Sequence, residues 1–128
     1  MDQAQKTKEF IIGYFNELGA APIKTRELIE KYVADEGLIE HILFFDTVFP
    51  RYEVFADEMI AEGNRVFLRA RLKGRHEGVF NGIPPTGRSV EFPFAIGYEV
   101  ENNKIVHHWM IADQAVLMEQ LGITAIPA

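Results

Sequence analysis

Apolar residues recur at three- and four-residue spacing over the first 49 positions and alternate with polar ones afterwards. Ile11, Tyr14, Phe15 and Leu18 form one stripe, which predicts a helix over 3–18. Asp2 is its N-cap, with Gln5 three residues on; Gly19 is placed to end it, and Pro22 bars continuation. A second helix opens at Thr25 and runs to about Ala34, with Leu28, Ile29, Tyr32 and Val33 on one side. A third covers 37–49 and stops before Pro50. Its apolar positions are Leu38, Ile42, Phe45 and Phe49, widened by Leu43, Phe44 and Val48. So broad a stripe predicts contact on two sides, one of which a cavity can supply.

Beyond Pro50 the period becomes two. The stretch 52–61 holds Val54, Phe55, Met59 and Ile60, and Glu62-Gly63-Asn64 is a turn. In 65–73, Val66, Leu68, Ala70 and Leu72 share one face; Arg65, Phe67, Arg69, Arg71 and Lys73 share the other. The first set should meet the helices, and the same parity carries His76 inward. Asn81-Gly-Ile-Pro-Pro-Thr-Gly-Arg88 then interrupts pairing, because Pro84 and Pro85 lack an N–H and fix φ. The next strand places Val90, Phe92, Phe94, Ile96 and Tyr98 on one face, with a bulge or edge position expected at Pro93. Asn102-Asn103 suits a tight hairpin. The strand 104–112 has two largely apolar faces, Ile105, His107, Trp109, Ile111 and Val106, His108, Met110, Ala112, so both should be covered. Asp113 opens a last helix ending near Leu121-Gly122, with Val116, Leu117 and Leu121 apolar. Helices, then antiparallel strands, then a closing helix define the α+β class, as a single domain over 1–128.

The charge balance, 13 Lys+Arg against 19 Asp+Glu, speaks against nucleic acid or an anionic membrane as the main partner. The chain has no Cys, which excludes a disulfide framework and any thiolate nucleophile or ligand. Neither an apolar leader nor an apolar run of membrane-spanning length is present, and the cytoplasm is the expected compartment.

The run GRHEGVFNGIPPTGRSV, then NKIVHHW, an Asp and LMEQLG is similar to the SnoaL-like polyketide cyclase (ester cyclase) family of the nuclear-transport-factor-two-like superfamily. The resemblance implies a cone-shaped, curved antiparallel sheet wrapped around N-terminal helices, with an apolar small-molecule pocket inside. It implies no single reaction, since such proteins include cyclases and relatives of isomerases and hydrolases. Family members place a short strand and a polar loop between the second and third helices. Here only Asp35-Glu36 is available, so that element should be shortened or lost. The acid/base Asp of the family's cyclases would fall at Met110 and an assisting His near Ile96, and neither side chain can exchange a proton.

That leaves His76, His108 and Asp113 as catalytic candidates. Imidazole is the natural acid/base near neutral pH, but each His can equally be a hydrogen-bonded structural residue, His76 holding the Pro-Pro loop. Asp113 is either a carboxylate at the pocket mouth or the cap of the last helix. His41 reads as solvated or capping. Tyr14, Phe15, Phe45, Phe92, Phe94, Ile96 and Met110 are the expected pocket lining. Phe67, Arg69, His107 and Trp109 are expected to form a homodimer interface, Trp and Arg being favoured anchors. His76, His108 and Asp113 have the chemistry for a metal but no ligand-spacing signature, and no cofactor motif occurs; neither metal nor cofactor is expected. Two functions compete: isomerase- or cyclase-like acid/base chemistry on an aromatic or apolar carbonyl compound, and binding of such a molecule without turnover.

Overall fold

The structure, a computed structural model, describes residues 2–122. Helix α1 (Gln3–Ala20) is capped by Asp2, whose carboxylate accepts from the Gln5 N–H at 2.8 Å. It buries Thr7, Ile11, Tyr14 and Leu18, one row at helical spacing. The Thr7 hydroxyl sits 2.9 Å from the Gln3 carbonyl and 2.8 Å from that of Gly63, so its single proton can tie α1 to the first hairpin.

Helix α2 (Arg26–Glu30) starts at the Thr25 cap but ends well before Ala34. The Tyr32 carbonyl accepts from Ile105 N–H at 2.7 Å, and Ala34 and Asp35 N–H both donate to the Ile105 carbonyl, at 2.9 and 3.1 Å. Val33 thus forms a one-residue parallel bridge to Ile105. The element expected to be shortened between these helices survives as this bridge. Helix α3 (Glu36–Val48) follows, with Asp35 as its N-cap.

Four strands, β1 (Glu53–Glu62), β2 (Arg65–Arg75), β3 (Ser89–Glu101) and β4 (Lys104–Ala112), form one curved antiparallel sheet in the order β1-β2-β3-β4. α4 (Gln114–Gln120) closes the fold. At the β3–β4 turn, Asn102 and Asn103 both have positive φ, 51° and 58°, as a two-residue hairpin requires. Pro93 breaks no ladder bond. Its carbonyl accepts from Asp113 N–H at 3.3 Å, so its nitrogen also points to the β4 side, where pairing ends at Phe94 opposite Ala112. The position is edge-like, without a bulge.

Strict alternation fails once in β4. Between the Glu99–His107 and Val100–Ile105 pairs, Val106 has no partner of its own. This bulge puts Ile105 on the same face as His108 and Met110, and Ile105 is fully buried. The expected grouping of Ile105 with His107, Trp109 and Ile111 is therefore corrected. The second expectation for β4, that both faces are covered, is corrected too: Ile111 is 79% exposed and Trp109 is also exposed.

The core has two parts. α1 and α3 pack over Val66, Leu68, Ala70, Ile96 and Tyr98 at one end. At the other, Val48, Phe49, Phe80, Val90, Phe92, Leu117 and Leu121 pack together. There the segment 76–88 is held by backbone bonds from Glu77 and Gly78 to the Val48 carbonyl, at 2.9 and 3.1 Å. A Cβ on Gly78 would lie 2.0 Å from the Thr47 carbonyl oxygen, so only glycine fits. Asn81 and Gly82, both at positive φ, turn the segment back on itself between Phe80 and Ile83.

Candidate functional site

The two parts of the core meet at Val54 and Phe94, which pack against both. A cavity of about 60 Å³ lies beside this junction and opens to solvent. α1 supplies Tyr14, Phe15 and Leu18; α3 supplies Leu38, His41, Ile42 and Phe45. The sheet side adds Tyr52, Val54, Leu72, Phe94, Ile96, Tyr98 and Met110, and Lys24 enters from between α1 and α2. Rings line one wall, with Tyr14 edge-on to Tyr98 at 5.8 Å and Phe15 at 6.1 Å from Tyr98. A benzene-sized ligand needs a cavity of roughly 150 Å³. A ring entering here must therefore displace wall side chains, and Met110, 37% exposed and unbranched, is suited to move.

Tyr14, Phe15, Phe45, Phe94, Ile96 and Met110 all face this cavity. Phe92 does not. Two residues before Phe94 on the same face of β3, it has passed the end of the cavity and packs with Val90, Leu117 and Leu121 under α4. Met110 and Ile96, where the family's cyclases would carry acid/base residues, line the cavity as a thioether and an alkane.

His76, His108 and Asp113 are scattered rather than brought together. His76 is fully buried beside Phe49, with ring centroids 5.9 Å apart, outside the cavity lining. Its Nδ1 accepts from Thr86 N–H at 3.1 Å, which leaves the proton on Nε2, a buried atom without a partner among the described residues. With the His76 N–H donating to the Arg88 carbonyl and Gly87 N–H to the His76 carbonyl, both at 2.9 Å, the residue clasps the Pro-Pro segment. Asp113 is exposed and accepts from Val116 N–H at 3.1 Å as the cap of α4. Among the described residues no three His, Cys, Asp or Glu side chains converge as metal ligands would.

His108 Nδ1 lies 2.7 Å from Asp35 Oδ2. Burial opposes ionisation of Asp35, but the His108 ring and the N–H groups of Leu38 and Gly37 outweigh it and hold the carboxyl below its usual range. The pair flanks the N-terminus of α3, and the next turn presents His41 to the cavity. His41 packs on Phe45 with ring centroids 4.3 Å apart. Burial, and then the charge on His108, lower its pKa, so its imidazole is neutral at physiological pH. His41 thus lines the cavity rather than standing solvated. The sequence signal was its spacing: three residues after Leu38 and four before Phe45, it shares their face.

Lys24 was not a candidate either. It is 3% exposed, donates from Nζ to the Tyr52 carbonyl at 2.8 Å, and stands 4.2 Å from the centre of the Tyr52 ring. Tyr14, Tyr52 and Tyr98 all have phenol pKa values raised, mainly by burial, so they remain neutral donors.

With this geometry in view, the comparisons place the chain. The profile of the SnoaL-like polyketide cyclase family matches residues 23–121, and the chain belongs to that family. Among solved structures, a candidate SnoaL-like polyketide cyclase from Jannaschia sp. CCS1 superposes with a TM-score of 0.80 at 23% identity, over 99% of this chain and 97% of that one. IdmH, a candidate polyketide cyclase from Streptomyces antibioticus, gives 0.74 at 23% identity over 91% and 98%. AclR, a candidate hydroxylase from Streptomyces galilaeus, gives 0.80 at 20% identity over 97% and 86%. At these identities the likeness establishes the fold alone. No curated protein matches the chain.

Proposed function

We propose that this protein takes a small aromatic or apolar carbonyl compound into the cavity and moves a proton on it, as an isomerase or cyclase does. The observation that carries this reading is His41, a neutral imidazole in the cavity wall. A general base must be unprotonated at working pH and within reach of its proton; burial supports the first and a place in the cavity wall supports the second. Burial, and after it the neighbouring His108, keeps His41 from charging. His108 and His76, the sequence candidates, are held by Asp35 and by the loop instead. The test is deuterium uptake, followed by NMR, at the α-carbon of a panel of single-ring aryl ketones in D₂O. The wild type should catalyse uptake on at least one, and His41→Phe should abolish it. Uptake that survives in His41→Phe would sink the assignment of the base.

A second reading, binding without turnover, is supported by Met110 and Ile96 at the two positions where family cyclases carry proton-transfer groups. Tight binding of a ring compound with no uptake anywhere in the panel would favour it.

We also propose a homodimer through the outer face of the sheet. Ile60, Phe67, Gly97 and Trp109 stand in one register row across all four strands. A Cβ at Gly97 would lie 2.5 Å from the Phe67 ring and 3.3 Å from Trp109, so glycine lets the two rings stack, 6.3 Å apart, across the strand between them. The next row, Glu58, Arg69, Ala95 and Ile111, borders it. An exposed apolar row rimmed by charges marks an interaction surface. A monomer mass in sedimentation at micromolar concentration would refute the dimer.

A further inference from the structure

The cavity contains one cation whose hydrogen-bonding capacity is mostly unspent. An ammonium carries three donors. Among the described residues the Tyr52 carbonyl takes one from Lys24. The nearest carboxylate, Asp46, forms an ion pair at 3.8 Å, too long for a hydrogen bond, and its oxygens accept backbone N–H groups, Oδ2 that of Lys24 at 3.2 Å and Oδ1 that of Arg51 at 3.3 Å. The Lys24 side chain is 2% exposed, so bulk water does not satisfy the remaining donors. A buried charge in this condition is costly unless another acceptor arrives. Lys24 forms part of the cavity wall.

We propose that Lys24 is the polar anchor of the cavity, taking the anionic oxygen of a ring-bearing ligand, whether a carboxylate or the enolate of a carbonyl compound. This rests on the cavity being the ligand site, and it adds the partner that the proton transfer requires. When His41 removes a proton from the carbon next to a carbonyl, the C–H bond breaks and its electron pair becomes a C=C bond. The former C=O electrons move to oxygen as an enolate, and the proton stays on the imidazole for return at the same or another carbon. The charge created on oxygen needs a fixed donor in a water-poor site. His41 on α3 and Lys24 from the α1–α2 connection enter the same cavity from different elements. Burial lowers the Lys24 pKa while Asp46 and Glu53 support its charge, which leaves a strong donor.

Benzoate and benzamide test this, being one ring each and close in shape but different in charge. By calorimetry the wild type should bind benzoate roughly tenfold tighter, as a charge-assisted hydrogen bond implies. Lys24→Met should bring the two affinities level. Because Lys24 also holds the Tyr52 carbonyl, the variant can fail to fold. The wild type labelled with [13Cε]lysine then decides, its Lys24 signal shifting with benzoate and not with benzamide. Equal affinities in the wild type, a preference that persists in folded Lys24→Met, or a Lys24 signal unmoved at saturation would each overturn the inference while leaving the cavity reading intact. If neither compound binds at its solubility limit, both fall.

Discussion

Both faces of the sheet carry large apolar side chains, and those side chains meet different fates. On the concave face Val66, Leu68, Ala70 and Leu72 are buried beneath helices and loops. One residue along the same strand, Phe67 stands exposed on the convex face, with Ile60, Trp109 and Ile111 beside it. On β2 the convex face interleaves Phe67 with Arg65, Arg69, Arg71 and Lys73, whereas the concave face is wholly apolar, and the two faces also differ in covering. The concave face has α1 and α3 and retains a small gap between them, whereas among the described residues nothing covers the convex face. On the proposals above, the uncovered face takes a second copy of the chain and the internal gap takes a small molecule.

The most direct way to break this comparison uses two isoleucines of one strand. Ile105→Ala removes a fully buried side chain and should cost about 2–5 kcal/mol in chemical denaturation. Ile111→Ala, at 79% exposure, should change monomer stability by no more than about 0.5 kcal/mol. Similar losses from the two would show that the convex face is not free in the monomer.

Trp109→Ala sharpens the other half. It should weaken self-association by about 2 kcal/mol, roughly thirtyfold in Kd, with the monomer fold intact by circular dichroism. As the only tryptophan, Trp109 also reports directly, and iodide quenching of the wild type should fall as concentration rises. An unchanged dissociation constant would remove Trp109 from the interface.

On the concave side Asp35→Ala should cost about 1 kcal/mol, since it deletes the α3 cap as well as the His108 partner. The carboxyl is held below its ordinary value in the folded protein, so its stabilising contribution exists above pH 3.8 and is lost as pH falls through the folded value. The variant's stability should be flatter than the wild type's in that acid window.

The smallest effect belongs to His41. Its folded pKa lies below the ordinary 6.5, so the unfolded chain takes up the proton first as pH falls. Stability should therefore decline from about pH 6.5 downward, a window separate from that of Asp35, and His41→Leu should remove that decline. Wild-type and variant curves of the same shape between pH 5 and 7 would place His41 in solvent after all.

What the chain determined by itself is what closes over a few residues. Asp2, Thr25 and Asp113 cap their helices by bonds to N–H groups three positions on, and the Asn102-Asn103 turn needs only its own two positive φ angles. The alternation in 65–73 and the aromatic face of β3 were equally legible, because period two is a property of the strand alone. What only the tertiary structure decided depends on partners far along the chain. The reach of α2 is cut by Ile105, more than 70 residues away, because its peptide group claims the chain from Tyr32 to Asp35. The Val106 bulge, visible only against β3, moves Ile105 into the core and sets His108 opposite Asp35. Phe92 and Phe94 share a face, yet only one reaches the cavity, since the packing of α4 and the Pro-Pro segment sets where the cavity ends. His41 and Lys24 were the least legible of all. Polar residues on a helix and in a connection look solvated until the opposite wall is in place, and that wall is a sheet whose strands begin at Glu53.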